Sequence, residues 1–278
     1  DIRPRSPQTA AFDLLRDDAV PRLAGVHVVV HLASRVDPPH PLRRHQMRRL
    51  HEEGTLRLIE ASKRAGVRRF VLVSSAVVYG ARPDNPVPLR ESDAVRPLAH
   101  FPYAVDKAKQ EEIVREHEAS LEIVIARPAI VYGPGARNHL TEFLRRAPGI
   151  LPALEGKRPP LQFVHVEDVA MALRALALSS CTGAYNVAGK GVIGLDDVAR
   201  LAGLRIVDVP RKAISPLLTL GQWWLPGHLR APPYLLDHLM YPFVMSSERL
   251  ETDLGVVSQR DPEETVQEML RGRRTGGT

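Results

Sequence analysis

The chain has one cysteine, Cys181, in 278 residues, which excludes an internal disulfide framework and any cysteine-rich metal site. The cytoplasm is the expected compartment. Aromatic residues are 5% of the chain and do not interleave with the basic ones, as a nucleic-acid surface would require. Lysine is scarce too, so the formal charge of +6 rests on arginines scattered in pairs such as Arg43-Arg44, Arg48-Arg49, Arg68-Arg69 and Arg145-Arg146. Scattered pairs suit solvated helix faces, and no nucleic-acid partner is expected. Long apolar runs are missing. The most apolar late stretch, "AISPLLTLGQWWLPGHL" from Ala213 to Leu229, is broken by Pro216, Pro226 and His228 and is too short to cross a bilayer. It reads as a substrate-lobe wall or an interface, not as an integral membrane segment, and no signal peptide is visible. The eleven histidines are dispersed, without the paired spacing with carboxylates that a zinc or iron site needs, so no metal is expected.

What is present is ordinary globular composition, 44% apolar and 25% charged, in a chain long enough for one large α/β domain or a core with a smaller lobe. "VHVVVHLAS" (Val26 to Ser34), "RFVLVSS" (Arg69 to Ser75) and "LEIVIARPAIV" (Leu121 to Val131) are β-branched apolar runs without clean alternation. Strands apolar on both faces belong in a parallel sheet covered by helices on both sides. Between them, "EEGTLRLIEASKRAG" ends at Gly66 as a helix C-terminus should, and "YAVDKAKQEEIVREHEA" follows Pro102, which suits a first helical turn. The alternation predicts a doubly wound, mostly parallel α/β sheet. Further on, "FVHVEDVAMALRALAL", "AYNVAG", "LDDVARLAG", "LRIVDVP", "SSERLETDLGV" and "PEETVQEMLR" predict short strands and helices of a smaller C-terminal lobe over the sheet's carboxyl edge.

The residues that suggest chemistry are Tyr103 and Lys107. A tyrosine hydroxyl, with a free pKa of about 10, is a poor base near neutrality unless a cation stabilises the phenolate. A lysine four positions on lies on the same helix face. The spacing alone is weak evidence, since six tyrosines and six lysines in 278 residues would give about 0.13 such pairs by chance. Ser74 and Ser75, at the end of a predicted buried strand, add hydroxyls where such folds bind ligands.

Taken in order, "VVVHLAS", "GTLRLIEASKRAGVRRFVLVSSAVVYG", "YAVDK", "RPAIVYGPG", "FVHVEDVAMAL", "YNVAG" and "SERLETDLGV" resemble the extended short-chain dehydrogenase/reductase family in its NAD-dependent epimerase/dehydratase branch. The resemblance covers nearly the whole chain. It implies a Rossmann-like core over residues 1–132 plus 160–190 and a substrate lobe over 133–159 plus 191–278. Ser75 matches the family's substrate-binding serine or threonine, Tyr103 its general acid/base, and Lys107 the residue that binds nicotinamide ribose and lowers the tyrosine pKa. Leu32, Ala33, Ser34 and Pro128 would pass beside the cofactor. His31, His165 and Asp168 are given structural roles.

The family's opening strand and glycine-rich turn have no counterpart, so a βαβ unit of about 30 to 40 residues is expected to be missing and the chain to hold its cofactor poorly. On this alignment Asp1 faces the adenosine ribose, which favours NAD, while Arg3 leaves NADP open. "FDLLRDD" resembles the next strand, with Asp13 and Leu14 near adenine. The partner is a small-molecule substrate, and the resemblance also implies a homodimer. Nucleotide-sugar enzymes of the family usually carry asparagine where Ile130 stands and arginine where Leu161 stands. Three readings follow: an epimerase or dehydratase acting on a nucleotide sugar; a hydroxysteroid- or dihydroflavonol-like dehydrogenase/reductase of a hydrophobic ring, favoured by the apolar segment with Trp223, Trp224 and Tyr234; and a non-catalytic dinucleotide-sensing protein.

Overall fold

The computed structural model describes residues 10–34, 41–134, 136, 144, 149–213 and 234–271. Strand β1 (Val28–His31) leads into helix α1 (Pro41–Arg64), strand β2 (Arg69–Val73), a 3-10 turn (Ala76–Tyr79), helix α2 (Pro102–Arg115) and strand β3 (Glu122–Pro128). There follow β4 (Ile130–Tyr132), β5 (Ile150–Leu154), β6 (Phe163–His165), α3 (Val166–Leu178), β7 (Gly183–Val187), α4 (Leu195–Ala202) and β8 (Arg205–Val209). Three helices close the order, α5 (Leu235–Met240), α6 (Glu248–Leu254) and α7 (Pro262–Arg271).

The main sheet has the order β1-β2-β3-β7, and every pair in it is parallel. Both of its faces are apolar because successive side chains alternate. Phe70, Leu72, Ile123 and Ile125 pack against Ile59 of α1 and Val114 of α2. Their neighbours Val71, Val124 and Ala126 pack against Val169, Leu173 and Leu176 of α3 and Leu250 of α6. Full burial of each such large side chain stabilises the fold by about 1.5–3 kcal/mol. A further core joins the β4/β6 and β5/β8 pairs to α4 and α7 through Leu151, Phe163, Val198 and Val266. The α1 C-terminus closes as expected, with Gly66 at φ +74° and its N–H donating to Lys63 O at 3.1 Å.

Two expectations need correction. The run Leu121–Val131 is two strands, because β3 ends on β7 at Pro128, which has no N–H for the ladder, and β4 changes partner to β6. The stretch Phe12–Asp18 is a turn and not a strand. Asp13 Oδ1 accepts the Leu15 N–H at 2.9 Å and Asp13 O accepts the Asp17 N–H at 2.8 Å, local bonds that compete with a sheet ladder.

Gly189, just past β7, runs against β6: a Cβ there would lie 2.0 Å from the Phe163 carbonyl oxygen. Gly189→Ala therefore has to move backbone, and is expected to lower stability by about 1–3 kcal/mol or more. A thermal melt checks it, and an unchanged Tm would show that the two strands can part without cost.

Candidate active site

Tyr103 and Lys107 occupy the first turns of α2, which starts at Pro102. Proline's fixed φ suits this first helical position, where its missing N–H costs nothing. Lys107 is buried, and its ammonium donates to Val73 O at the end of β2, 2.8 Å away. Its nitrogen lies 5.7 Å from the Tyr103 ring centroid. Burial pulls the lysine pKa down to about 7, against the raising effect of the Glu111 and Asp106 carboxylates. The expected lowering of the tyrosine pKa is not what the structure shows. Burial pushes Tyr103 up to about 12, against the lowering effect of the Ser34 hydroxyl.

Half-buried Tyr103 packs with Val77 against a cluster made by Leu98, Phe101, Ala104 and Tyr234. Phe101 and Tyr234 are stacked, with centroids 3.5 Å apart and an interplanar angle of 11°. Ser75 sits two residues before Val77, at the carboxyl end of β2, and caps the 3-10 turn by accepting the Val77 N–H at 3.4 Å. The two serines divide their work: half-buried Ser75 stays by the site, whereas buried Ser74 donates to Glu111 Oε1 at 2.6 Å.

Leu32, Ala33 and Ser34 follow β1 and are exposed, Leu32 by 59%. Pro128, also at the carboxyl edge, is buried. The structure thus brings the strand-end residues of β1, β2 and β3 and the start of α2 to one edge of a parallel sheet. His31 is held by Thr55 at 3.0 Å and its pKa is driven down to about 3, first by burial and then by Lys107 and His51. His165 accepts the Glu167 N–H as the N-cap of α3, and Asp168 accepts from Ser258 at 2.6 Å.

Asp13 and Leu14 are not drawn into this group by any described contact. Leu14 lines a separate cleft of about 380 Å³ with Phe12, Asp17, Leu56 and Arg57. Asp1 and Arg3 lie outside the described residues, as do Arg137, Arg145, Arg146, Trp223 and Trp224.

Residues that sequence reasoning missed connect the site to the α1–α2 interface. Ser34 Oγ is 3.1 Å from His51 Nε2, and His51 Nδ1 is 3.1 Å from Asp106 Oδ2. Both Asp106 oxygens accept from the Arg44 guanidinium, one at 2.7 Å. The signal was present as spacing: Arg44, His51 and Thr55 fall on one face of α1, and Tyr103, Asp106, Lys107 and Gln110 on one face of α2.

A dinucleotide fits what is here at its nicotinamide end. Among the described residues Lys107 spends one of its three N–H donors on Val73 O, which leaves donors for a ribose hydroxyl, and Leu32 and Ala33 are exposed apolar residues at the carboxyl end of β1. Among the described residues no group of His, Cys, Asp and Glu is placed to hold a metal ion, and no helix is long and apolar enough to cross a membrane.

The model of the NAD dependent epimerase/dehydratase family matches residues 3–188. An uncharacterised protein of Mycobacterium tuberculosis is 28% identical over 258 residues, 89% of this chain and 66% of that protein. The 3-diazoavenalumate denitrifying reductase of a Streptomyces species is 34% identical over 66% of this chain and 63% of its own length. The UDP-glucose 4-epimerase of Vibrio cholerae is 30% identical over 44% of this chain and 38% of its own. The chain thus spans about two thirds or less of the length of these relatives. Among solved structures, MoeE5 in complex with UDP-glucuronic acid and NAD superposes with a TM-score of 0.73 at 24% identity, over 99% of this chain and 90% of that one.

Proposed function

The chain belongs to the NAD dependent epimerase/dehydratase family, and from that premise we propose that it is an NAD(P)-dependent enzyme acting at a carbinol or ketone carbon, with Tyr103 as its general acid/base. The observation that carries the reading is the placement of Tyr103 beside Ser34 and above buried Lys107, at the carboxyl edge of a parallel sheet. When bound, nicotinamide supplies the hydride acceptor or donor. Ser75 holds the substrate oxygen by a hydrogen bond. Tyr103 takes the proton from that oxygen during oxidation and returns it during reduction. Lys107 holds the nicotinamide ribose, with Leu32, Ala33, Ser34 and Pro128 along the cofactor, and Asp13, Leu14 and Asp1 toward its adenosine end. NAD is preferred. The C-terminal segments form the substrate lobe, and the active form is a homodimer.

The substrate is a nucleotide sugar, the class named for the Vibrio relative. Two observations favour a second reading, a reductase or dehydrogenase of an apolar ring. Leu161 is buried in the core and bridged to Ile193, so it offers nothing to a diphosphate, and the Phe101–Tyr234 stack gives the phenol an apolar wall. The Streptomyces relative is a reductase by name.

Calorimetric titration with NAD and NADP, followed by incubation with UDP- and dTDP-hexoses and with ring alcohols and ketones, tests the reading. Sugar conversion without net NADH supports an epimerase or dehydratase, and net NADH from a ring alcohol the second reading. Dinucleotide binding without turnover on any of these would replace both with a dinucleotide-sensing role, and no binding to either dinucleotide by a chain that also carries the glycine-rich opening would sink all three.

A further inference from the structure

We propose that Ser34, His51 and Asp106 form a proton relay that orients the Tyr103 hydroxyl and carries its proton into the α1–α2 interface. The proposal rests on Tyr103 being the acid/base and extends that site by three positioning residues.

The Ser34 hydroxyl is the side-chain partner that lowers the phenol's pKa, and it is 3.1 Å from His51 Nε2; His51 Nδ1 is 3.1 Å from Asp106, which Arg44 grips with both guanidinium nitrogens. The His51 and Tyr103 rings are 6.0 Å apart at 65°. His51 and Asp106 are both buried, His51 completely. Two polar side chains between packed helices cost stability unless they are paired, and apolar residues would hold the helices together as well.

The hydrogen bonds have one consistent direction. Burial raises the Asp106 pKa, but His51 and Arg44 outweigh it, so the carboxyl is held below its usual range and can only accept. His51 Nδ1 must then carry the proton and donate it to Asp106. Nε2 is left to accept from the Ser34 hydroxyl, and the Ser34 oxygen to accept from Tyr103. Among the described residues, the groups facing His51 include His31 and Ser34 from β1 and its end, Tyr103, Asp106 and Lys107 from α2, and Arg44 from its own helix. Burial, Lys107 and Arg44 outweigh Asp106 and hold its pKa below the ordinary histidine value, so the resting imidazole is neutral, with the Nε2 lone pair on the side of the Ser34 hydroxyl.

The step balances. As Tyr103 gives up its phenolic proton to Ser34, Ser34 passes its own to His51 Nε2, and the imidazolium is paired with Asp106. The phenolate then takes the proton of the substrate hydroxyl, whose carbon would give its hydride to a bound nicotinamide. Reduction runs the same transfers backwards, and the relay itself is neither oxidised nor reduced.

The test uses the full chain with ¹⁵N-labelled histidine. NMR is expected to show His51 as the neutral Nδ1–H tautomer at neutral pH, and Asp106→Asn to move that proton to Nε2, because the amide can donate where the carboxylate cannot. Ser34 is exposed, so Ser34→Ala should fold normally even if Asp106→Asn does not. It is expected to lower kcat about tenfold to a hundredfold and to displace the acid limb of the pH profile, with the substrate KM within about twofold of wild type. Ser34→Thr should restore both. An Nε2–H tautomer in the wild type would overturn the relay, and so would a Ser34→Ala enzyme with wild-type kcat and pH profile while Tyr103→Phe is inactive. If Tyr103→Phe itself turns over normally, the proposed function fails and the relay with it. A chain without turnover still yields the tautomer, which supports or overturns the relay independently.

Discussion

Tyr103→Phe is expected to reduce kcat by about 10²–10⁴-fold, the range contributed by a positioned general acid or base. The substitution deletes one oxygen and keeps the ring, which packs against the Phe101 and Tyr234 cluster and against His51 at 6.0 Å. The fold and KM should therefore change little. Because burial holds the phenol pKa up at about 12, the resting group is a protonated phenol near neutrality. It is ready to donate during reduction and has to shed its proton before oxidation. Loss of the hydroxyl removes both capacities. Steady-state kinetics alongside a thermal melt checks the result; wild-type turnover in a normally folded variant would remove Tyr103 from the chemistry.

The largest effect on stability is expected at Glu111. This carboxylate is fully buried on α2 and accepts from Arg127 Nε at 3.0 Å and Nη2 at 2.7 Å, from Ser74, and from Arg115 at 2.8 Å. Arg127, almost as buried, also donates to the Tyr79 hydroxyl at 2.6 Å, and Tyr79 in turn donates to Asn186 at 2.8 Å. Removing one member of such a pair strands the other charge inside the protein. Glu111→Ala is expected to cost about 3–5 kcal/mol, against a total of about 5–15 for a typical domain. Urea unfolding at neutral pH checks it, and a loss below about 1 kcal/mol would show that Arg127 finds solvent or another partner.

The same cluster sets a direction for acid sensitivity. Burial pushes the Glu111 pKa up, but Arg127, Ser74 and Arg115 outweigh it and leave it below the usual carboxylate range. A depressed folded value means that the contribution to stability is fully present above the unfolded pKa of about 4.3 and is lost as the pH falls through the folded one. Glu111→Gln is therefore expected to weaken the protein at neutral pH and to flatten its acid-side loss. An unchanged acid slope would assign that loss to other carboxylates.

Much of this was legible in the residues. Runs such as "FVLV" and "IVIA" are apolar at every position, which only a sheet covered on both faces tolerates, and the parallel sheet β1-β2-β3-β7 has that cover. The Tyr103–Lys107 spacing placed both side chains on one face of a helix whose start Pro102 announced. The failures have local causes. "FDLLRDD" has an apolar pattern that suits a strand, but Asp13 satisfies nearby backbone N–H groups itself and makes a turn. Pro128 divides what reads as one continuous strand. Ser74 and Ser75 are indistinguishable as letters, and one turned to Glu111 while the other stayed at the edge.

The sequence by itself determined the alternation of strand and helix, the two apolar faces of the sheet and the pairing of phenol with ammonium one helical turn apart. These depend on periods of 2 and about 3.6 residues, which are properties of the chain. Only the tertiary structure decided that burial would raise the Tyr103 pKa rather than Lys107 lower it, and that Ser34, His51 and Asp106 would meet. Desolvation is set by everything packed around a group, and a hydrogen bond between residues 17 or 55 positions apart exists only once helix has docked on helix.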